Sequence, residues 1–542
     1  MNSLKSTLLK KFPRLLFTIA FLPLTLFSQQ LFNVTLKTSS LKNIPAIHSF
    51  AFASWQGKWI FVGGRTNGLH GFEPPFAFPN SGINTKIYVV DHSSDTQWSS
   101  VVSALPDSIR EQISSSNMEY FQDDSVLYFL GGYGWKSSIN NFVTFPILTA
   151  INLNKLVPAV MNNTSLQPCF TQVRDTFFAV TGGNLEKMDS TFYLVFGHRF
   201  DGRYDRTTIS KTFKQKYSNQ VRKFRVVNPT STFSVNSQQS ITDTVNFHRR
   251  DYNLIPQIFP DRSYGLTAFS GVFRYTALLP YLNTVDISSS GYSVNNAFNQ
   301  NLSQYHCAVM SVYDSTYNAM HSIFFGGISL YTLDTMTNQL VPDTLVPFVK
   351  TISKVSRYSD GSMVEFKLPI EMPALLGTNA KFIPENNIPL YKQNIIHLKR
   401  LGDSTLVGYI VGGINTPDKN VGQSDASFST ASTYIFEVHL NKTGITNTKE
   451  FKVSNAIVDF LIYPNPANES ATVEFNLLQS GKVVLELVDN KGVVKQRIID
   501  EYKHAGTHTK SIDISMLAAG NYFCRISSGN CSKALRLVRG GK

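Results

Sequence analysis

Apolar and polar positions along this chain fall into short runs with a period of two or no period at all. A helix face would repeat every three to four residues. Trp59-Ile-Phe-Val, Leu127-Tyr-Phe-Leu, Phe192-Tyr-Leu-Val-Phe, Leu266-Thr-Ala-Phe, Ile323-Phe-Phe and Tyr409-Ile-Val are apolar almost throughout. Such runs read as strands covered on both faces. Each stops at glycine: Gly63-Gly64, Gly131-Gly132, Gly197, Gly271, Gly326-Gly327 and Gly412-Gly413. Glycine at the end of a buried strand permits a tight bend and a close backbone approach that a Cβ would block. Two of the six units keep one glycine, and Gly182-Gly183 is read as the end of a preceding strand in the third unit. Further strands follow in several units: Lys86–Asp91 ahead of Trp98, Leu148–Leu153, Val221–Val227 and Thr433–Val438. Leu31–Lys37 is strand-like, precedes the first unit and is placed to complete the last one. Short helices are predicted over 106–113, with Pro106 at the first turn, and over 154–161.

The last 87 residues change character. Six or seven alternating runs separated by turns such as Asp489-Asn490-Lys491-Gly492 predict a small Ig-like β-sandwich over 456–542, after a polar linker at 446–455. Tyr463-Pro464-Asn465-Pro466, Val488–Gly492, Asp513 through Gly520-Asn-Tyr522 and the closing Leu535–Arg539 resemble the C-terminal sorting domain of the type IX secretion system of Bacteroidetes. The resemblance covers about 85 residues with order and spacing intact. It implies docking on the outer-membrane secretion machinery, with the cargo released or attached to the cell surface. Cys524 and Cys531 flank a turn, where a local disulfide and two free thiols are both open readings.

The glycine-ended units of residues 29–445 resemble the kelch repeat: a Gly pair, an aromatic-containing strand with Asp, then Trp. The first unit fits best, with Val90 where an aromatic is usual, and later units mostly lack the Trp. The resemblance implies an all-β fold, a kelch-like β-propeller with six blades. At roughly 70 residues per unit, against roughly 50 for a kelch unit, the excess falls into long loops that build a binding face.

Composition and charge sharpen this picture. The 542 residues are 42% hydrophobic and 16% charged, so the chain folds, and its surface is largely Ser, Thr, Asn and Gln. Residues 1–28 read as a signal peptide: Lys5, Lys10, Lys11 and Arg14 precede the apolar run 15–27, which is too short to span a bilayer as a helix. No transmembrane segment is expected in the mature chain. Of the net charge of +13, the signal peptide carries four, and the sorting domain carries three, from eleven basic and eight acidic residues. Residues 199–225 hold nine Lys or Arg and two Asp, so the basicity is local. That run suits an acidic partner or a solvated loop. Export argues against nucleic acid.

Four loops place charged and aromatic residues just after strand ends: 64–70, 132–136, 197–204 and 247–253. Arg65, His70, Tyr133, His198, Arg199, Arg203, His248, Arg249 and Asp251 are the candidate ligand-binding residues. Arg forks bind carboxylates, and aromatic rings stack on sugar faces. The same residues would equally tie neighbouring units together. No catalytic set, metal site or cofactor motif is read from the chain. Tyr305-His306-Cys307 supplies residue types of the kelch-like galactose oxidase copper site, but adjacent strand residues face opposite ways and a second His motif is missing. The expected role is a secreted or surface-attached module that binds a glycan or a surface protein. Two alternatives stand: a sugar-modifying enzyme of the sialic-acid mutarotase type, with Glu73, Glu119 and Glu186 as available acids, and a structural adhesion protein.

Overall fold

The computed structural model describes residues 32–229, 232–275, 277–302, 305–376, 378–421, 428–442, 450–453, 457–477, 480–490, 492–528 and 531–540. The predicted signal peptide and most of the predicted linker lie outside the described residues. The fold is all-β, and the two predicted helices are present as Asp107–Ile113 and Leu153–Met161. Asn152 caps the second by accepting from Lys155 N at 3.2 Å.

Among the described residues, 33–441 form six main sheets, each built on four antiparallel strands, and four smaller sheets of two or three strands. Sheet I runs Ala51–Trp55, Lys58–Val62, Lys86–Asp91 and Thr96–Val101. Sheet II runs Glu119–Asp123, Val126–Leu130, Ile147–Asn152 and Phe170–Arg174. Sheet III runs Asn184–Met188, Thr191–Val195, Gln220–Val227 and Ser234–Ser237. Sheet IV runs Asn253–Ile258, Tyr264–Phe269, Thr284–Ser288 and Gly291–Asn295. Sheet V runs Ala308–Asp314, Ala319–Phe325, Thr351–Arg357 and Met363–Glu371, with Ile395–His397 added in parallel beside its first strand. Sheet VI is Ala380–Pro384, Ser404–Gly412 and Phe436–Asn441, completed by the N-terminal strand Asn33–Thr38 in the register Asn33↔Asn441 to Thr38↔Phe436. The last sheet thus joins both ends of the region, as the strand-like 31–37 run predicts. The strand expected at 433–438 begins three residues later, at Phe436.

Period-two alternation explains how the sheets pack. In Lys58–Val62, Ile60 and Val62 join a core shared with Leu127 and Phe129 of sheet II, while Trp59 and Phe61 join a core shared with Ile383, Tyr409 and Val411 of sheet VI. In Val126–Leu130, the alternate residues Val126, Tyr128 and Leu130 pack on Phe192, Leu194 and Phe224 of sheet III. The pattern continues between sheets III and IV, IV and V, and V and VI. Every sheet is buried on two faces, which is why the central runs are apolar at each position.

The glycines act where sheets meet. Gly64 N donates to Ser115 O at 2.8 Å, Gly132 N to Val180 O at 3.1 Å, and Gly197 N to Arg249 O at 3.0 Å, each in the next unit. At Gly131 (φ +63°) a Cβ would stand 2.0 Å from Val180 O. Where the first glycine of the pair is missing, Phe196 (φ +50°) and Ser270 (φ +54°) adopt the same left-handed backbone. Gly182-Gly183 does not end a strand. It leads into the first strand of sheet III, where Gly183 N donates to Glu119 Oε1 of sheet II at 2.5 Å.

Residues 457–539 form two further sheets. Three strands (Ile457–Tyr463, Ser470–Leu477, Gly506–Asp513) and four (Gly481–Asp489, Val494–Lys503, Gly520–Ser528, Cys531–Arg539) enclose their own core around Val473, Phe475, Leu485 and Ile526. Cys524 is a buried free thiol opposite Leu535, whereas Cys531 stands opposite Ser528. Four rungs separate them, about 13 Å at 3.4 Å per residue, so the register rules out the local disulfide.

Candidate functional site

In each of the six sheets the residue after the glycine position pairs with a residue just ahead of the first strand. Bridges join His48 to Arg65, Ser116 to Tyr133, Thr181 to His198, Arg250 to Val272 and Tyr305 to Ile328. In sheet VI, Ile414 N donates to Thr378 O at 3.1 Å. The strand starts are themselves linked around one end of the fold: Asn117 N to Ser49 O, Gly182 N to Asn117 O, Asp251 N to Gly182 O, and Asn379 N to His306 O. They enclose a recess of about 100 Å³ lined from all six sheets.

Five of the nine candidate residues line it: Arg65, His70, Tyr133, His198 and Asp251. Arg65 is 4% exposed, and its fork is held by Asn67 Oδ1 at 3.0 Å and Pro79 O at 2.6 Å. Burial draws its pKa down to about 10. His70 Nδ1 donates to Gly71 O (2.8 Å), and the ring stacks on Phe78 at 3.9 Å; burial lowers its pKa to about 4. His198 is paired with Gln215, and burial next to Arg250 pushes its pKa well down. Tyr133 donates to Gly202 O at 2.5 Å. Asp251 lies 3.3 Å from Arg250 Nε and accepts from the Tyr305 hydroxyl at 3.1 Å. Burial raises its pKa, with Arg250 opposing. The recess therefore presents neutral imidazoles and phenols around two guanidinium groups.

The other four candidates sit elsewhere. Arg249 is fully buried, and Ser270 O, Asn283 O, Asn283 Oδ1 and Asn246 O take its donors, so it braces sheet IV. His248 stacks on Tyr217 at 3.7 Å outside the recess. Arg203 covers Trp135 and Phe142, and Arg199 is an exposed partner of Asp201 at 2.6 Å. The basic run is thus partly neutralised, and Lys211, Lys214 and Lys216 remain exposed on or beside the hairpin His198–Gly202/Phe213–Tyr217.

His48, Asn117, Arg250, Tyr305 and Asn379 also line the recess and were not singled out as ligand residues by the sequence. Their shared signal is position, one to three residues before each first strand. His48 Nε2 is buried without a hydrogen-bond partner, and burial with Arg65 nearby lowers its pKa to about 3. Tyr305 faces the recess, while His306 and Cys307 line the space beneath it. Among the described residues no three His, Cys, Asp or Glu side chains gather as metal ligands.

The family described as secretion system C-terminal sorting domain matches residues 461–539. Residues 461–539 are a sorting domain. Its Tyr463 hydroxyl donates to Glu474 Oε2 at 3.0 Å, and Asn465 Nδ2 donates to Arg536 O at 2.7 Å while its Oδ1 accepts from Val538 N at 2.8 Å. Tyr522 donates to Ala518 O at 3.0 Å, and Gly492 (φ +81°) closes the 489–492 turn. Pro464 and Pro466 lie in the bend between the strands Ile457–Tyr463 and Ser470–Leu477, and Gly520 opens the strand that pairs with Cys531–Arg539. With this domain the chain is a Bacteroidetes cargo of the type IX system, engages its secretion machinery, and is secreted or attached to the outer cell surface. Among the described residues no helix is long and apolar enough to cross a membrane.

Three solved structures are similar in part. A fungal alcohol oxidase of the AA5 family in complex with copper aligns over 94% of this chain and 99% of its own, at 9% identity and a TM-score of 0.36. PorZ, a surface component of the type IX secretion system of Porphyromonas gingivalis, aligns over 90% of this chain and 59% of its own, at 10% identity and a TM-score of 0.21. Dimeric latent PorU of the same organism aligns over 72% and 37%, at 10% identity and a TM-score of 0.17. No curated protein matches the chain. With superpositions this loose, the functional reading rests on the chain's own residues.

Proposed function

We propose that residues 29–445 are a six-bladed kelch-like propeller, followed by a linker at 446–455 and the sorting sandwich at 456–542. Cyclic packing of sheet on sheet, with sheet VI against sheet I, supports the ring. The propeller is a binding module for a glycan or surface-protein ligand, and its recess receives a ligand end bearing a carboxylate and hydroxyls.

The observation that carries this reading is the meeting of Arg65, Arg250, Asp251, Tyr305 and His198 in one recess from separate sheets. Guanidinium groups in a desolvated site bind a carboxylate more strongly than they do in water, and neutral imidazoles and phenols orient hydroxyls. The test is a thermal-shift and calorimetric screen of residues 29–542 against neutral and acidic glycans. Arg250→Lys is expected to weaken the best ligand about tenfold or more, because the planar fork is lost while the charge remains. A flat response across the panel would overturn the reading.

A second reading is favoured by one contact. Asp251 is a buried carboxyl beside Arg250, which is the pairing a mutarotase-type sugar enzyme needs. Accelerated anomeric exchange of an acidic sugar in NMR, lost in Asp251→Asn, would select the enzyme over the binder.

A further inference from the structure

Beneath the recess lies a larger space. The first strands of all six sheets enclose a cavity of about 630 Å³, and residues 384–387 with 390, 393 and 394 also line it. Gln393 fixes this connection by donating to Lys187 O of sheet III at 3.1 Å and accepting from the Tyr264 hydroxyl of sheet IV. Asn117 lines both spaces, so the recess and the chamber adjoin. The volume lies within the ~300–1,000 Å³ of small-molecule pockets. It would otherwise hold roughly twenty waters at about 30 Å³ each.

Ionisable groups reach this chamber from four sheets: Glu119 and Tyr120 from II, Glu186 from III, His306 from V and Lys381 from VI. Lys381 spans to another sheet, and its Nζ sits 5.3 Å from the centre of the Tyr120 ring. Glu119 uses one oxygen on Gly183 N, while its Oε2 is buried with no hydrogen-bond partner; so is His306 Nδ1. Phe52, Phe121 and Phe382 add ring faces to the wall.

We propose that this chamber is a second binding site, and that it takes a small neutral polyhydroxylated molecule, a monosaccharide or an alditol. Three classes of occupant can be weighed. An apolar molecule would leave Glu119 Oε2 and His306 Nδ1 unsatisfied, at about 1–3 kcal/mol each. An ionised molecule would need a fixed counter-charge. Burial instead raises the Glu186 pKa to about 8 and lowers that of Lys381 to about 8, with Glu119 opposing the shift of Lys381. At pH 7 Glu186 is therefore protonated while Lys381 keeps most of its charge and interacts with Glu119, so a desolvated cation would find no free counter-charge and an anion would have to compete with Glu119 for the one ammonium. A polyol supplies donors to Glu119 and His306, acceptors to Lys381 and Glu186, and C–H faces to the rings. This site does not depend on what the recess above it binds.

The experiment is isothermal titration of residues 29–542 with neutral hexoses, pentoses and alditols. Saturable one-to-one binding is expected for at least one of them. Lys381→Met and Glu186→Gln should each weaken it about tenfold, and Leu254→Trp, which fills the chamber, should abolish it. Lys214→Ala, exposed and outside both cavities, is the control and should leave affinity unchanged. Near-UV circular dichroism verifies the fold of each variant, and the near-isosteric Glu186→Gln keeps the test open if Lys381→Met misfolds. Absence of saturable heat with every polyol, which would leave water as the occupant, overturns the proposal. So does binding that persists in Leu254→Trp, or that ignores both Lys381→Met and Glu186→Gln.

Discussion

At the scale of single residues, burial decides what each histidine does. His321 is 3% exposed, its Nδ1 lies 2.9 Å from Ser356 Oγ, and its Nε2 is buried without a partner. Burial, aided by Lys354, lowers its pKa to about 3, and His48 and His306 are depressed to about the same value. A base whose folded pKa lies below its unfolded value of about 6.5 is protonated first in the unfolded chain. Stability is therefore complete above pH 6.5 and falls as the pH drops toward 3. At pH 4.5, two units below 6.5, His321 alone accounts for about 2–3 kcal/mol. Urea titrations should show a lower midpoint at pH 4.5 than at pH 7, with a smaller loss in His321→Gln. Equal losses in both proteins would refute the assignment. Residue scale is also where the sequence was least legible. His248, Arg249 and Arg250 are adjacent and chemically similar as text. In the fold one stacks outside the recess, one is sealed into sheet IV and one lines the recess, because neighbouring side chains diverge. Sequence reasoning marked Arg249, and the structure puts Arg250 in the recess.

At the scale of elements, the glycine-ended strands were legible because they combine two requirements in one short string. Both faces of the strand are buried, so each position is apolar. The next backbone approaches its end, so no Cβ fits. Phe196 and Ser270 show how the signal fades without the geometry changing: both keep a left-handed backbone where glycine is expected. Phe196 is held by stacking on Phe247 at 4.6 Å, and Ser270 Oγ donates to Tyr281 O at 2.6 Å. Helix boundaries and the C-terminal ends of the central strands were readable to within a residue or two, but the edge strands were less so, since they are more exposed and their runs less apolar. A paired substitution tests the account. Gly57 (φ +74°) has open space where a Cβ would go, whereas Gly131 (φ +63°) has a carbonyl at 2.0 Å. Gly57→Ala should cost about 1–2 kcal/mol, the strain of the left-handed backbone alone. Gly131→Ala should cost roughly 3 kcal/mol or more, since the sheet II to sheet III contact must also open. Equal costs by denaturant titration would mean that the close approach carries no energy.

At the scale of the whole molecule, two cores with separate work share one chain. The sandwich core is drawn from residues 460–537, and the apolar clusters of the six-sheet region reach no further along the chain than Val453. What joins the two parts is polar. Arg274 Nη1 of the sheet IV region lies 3.6 Å from Glu474, and Lys533 Nζ of the sandwich sits 5.0 Å from the centre of the Tyr331 ring. An address that must be read by a secretion machine is served by an independent core and a small polar contact, because it can dock or be removed without opening the six sheets. Deleting residues 456–542 should therefore leave the thermal transition of 29–455 within a few degrees of its place in the full chain, since Arg274 and Tyr331 each lose one partner. The same deletion should trap the protein in the periplasm. Fractionation and surface-protease accessibility in the native host measure the second effect, and calorimetry the first. Normal surface delivery of the truncated chain would remove the export role from residues 461–539. Collapse of its thermal transition would instead show that the sandwich is a structural partner of the six sheets.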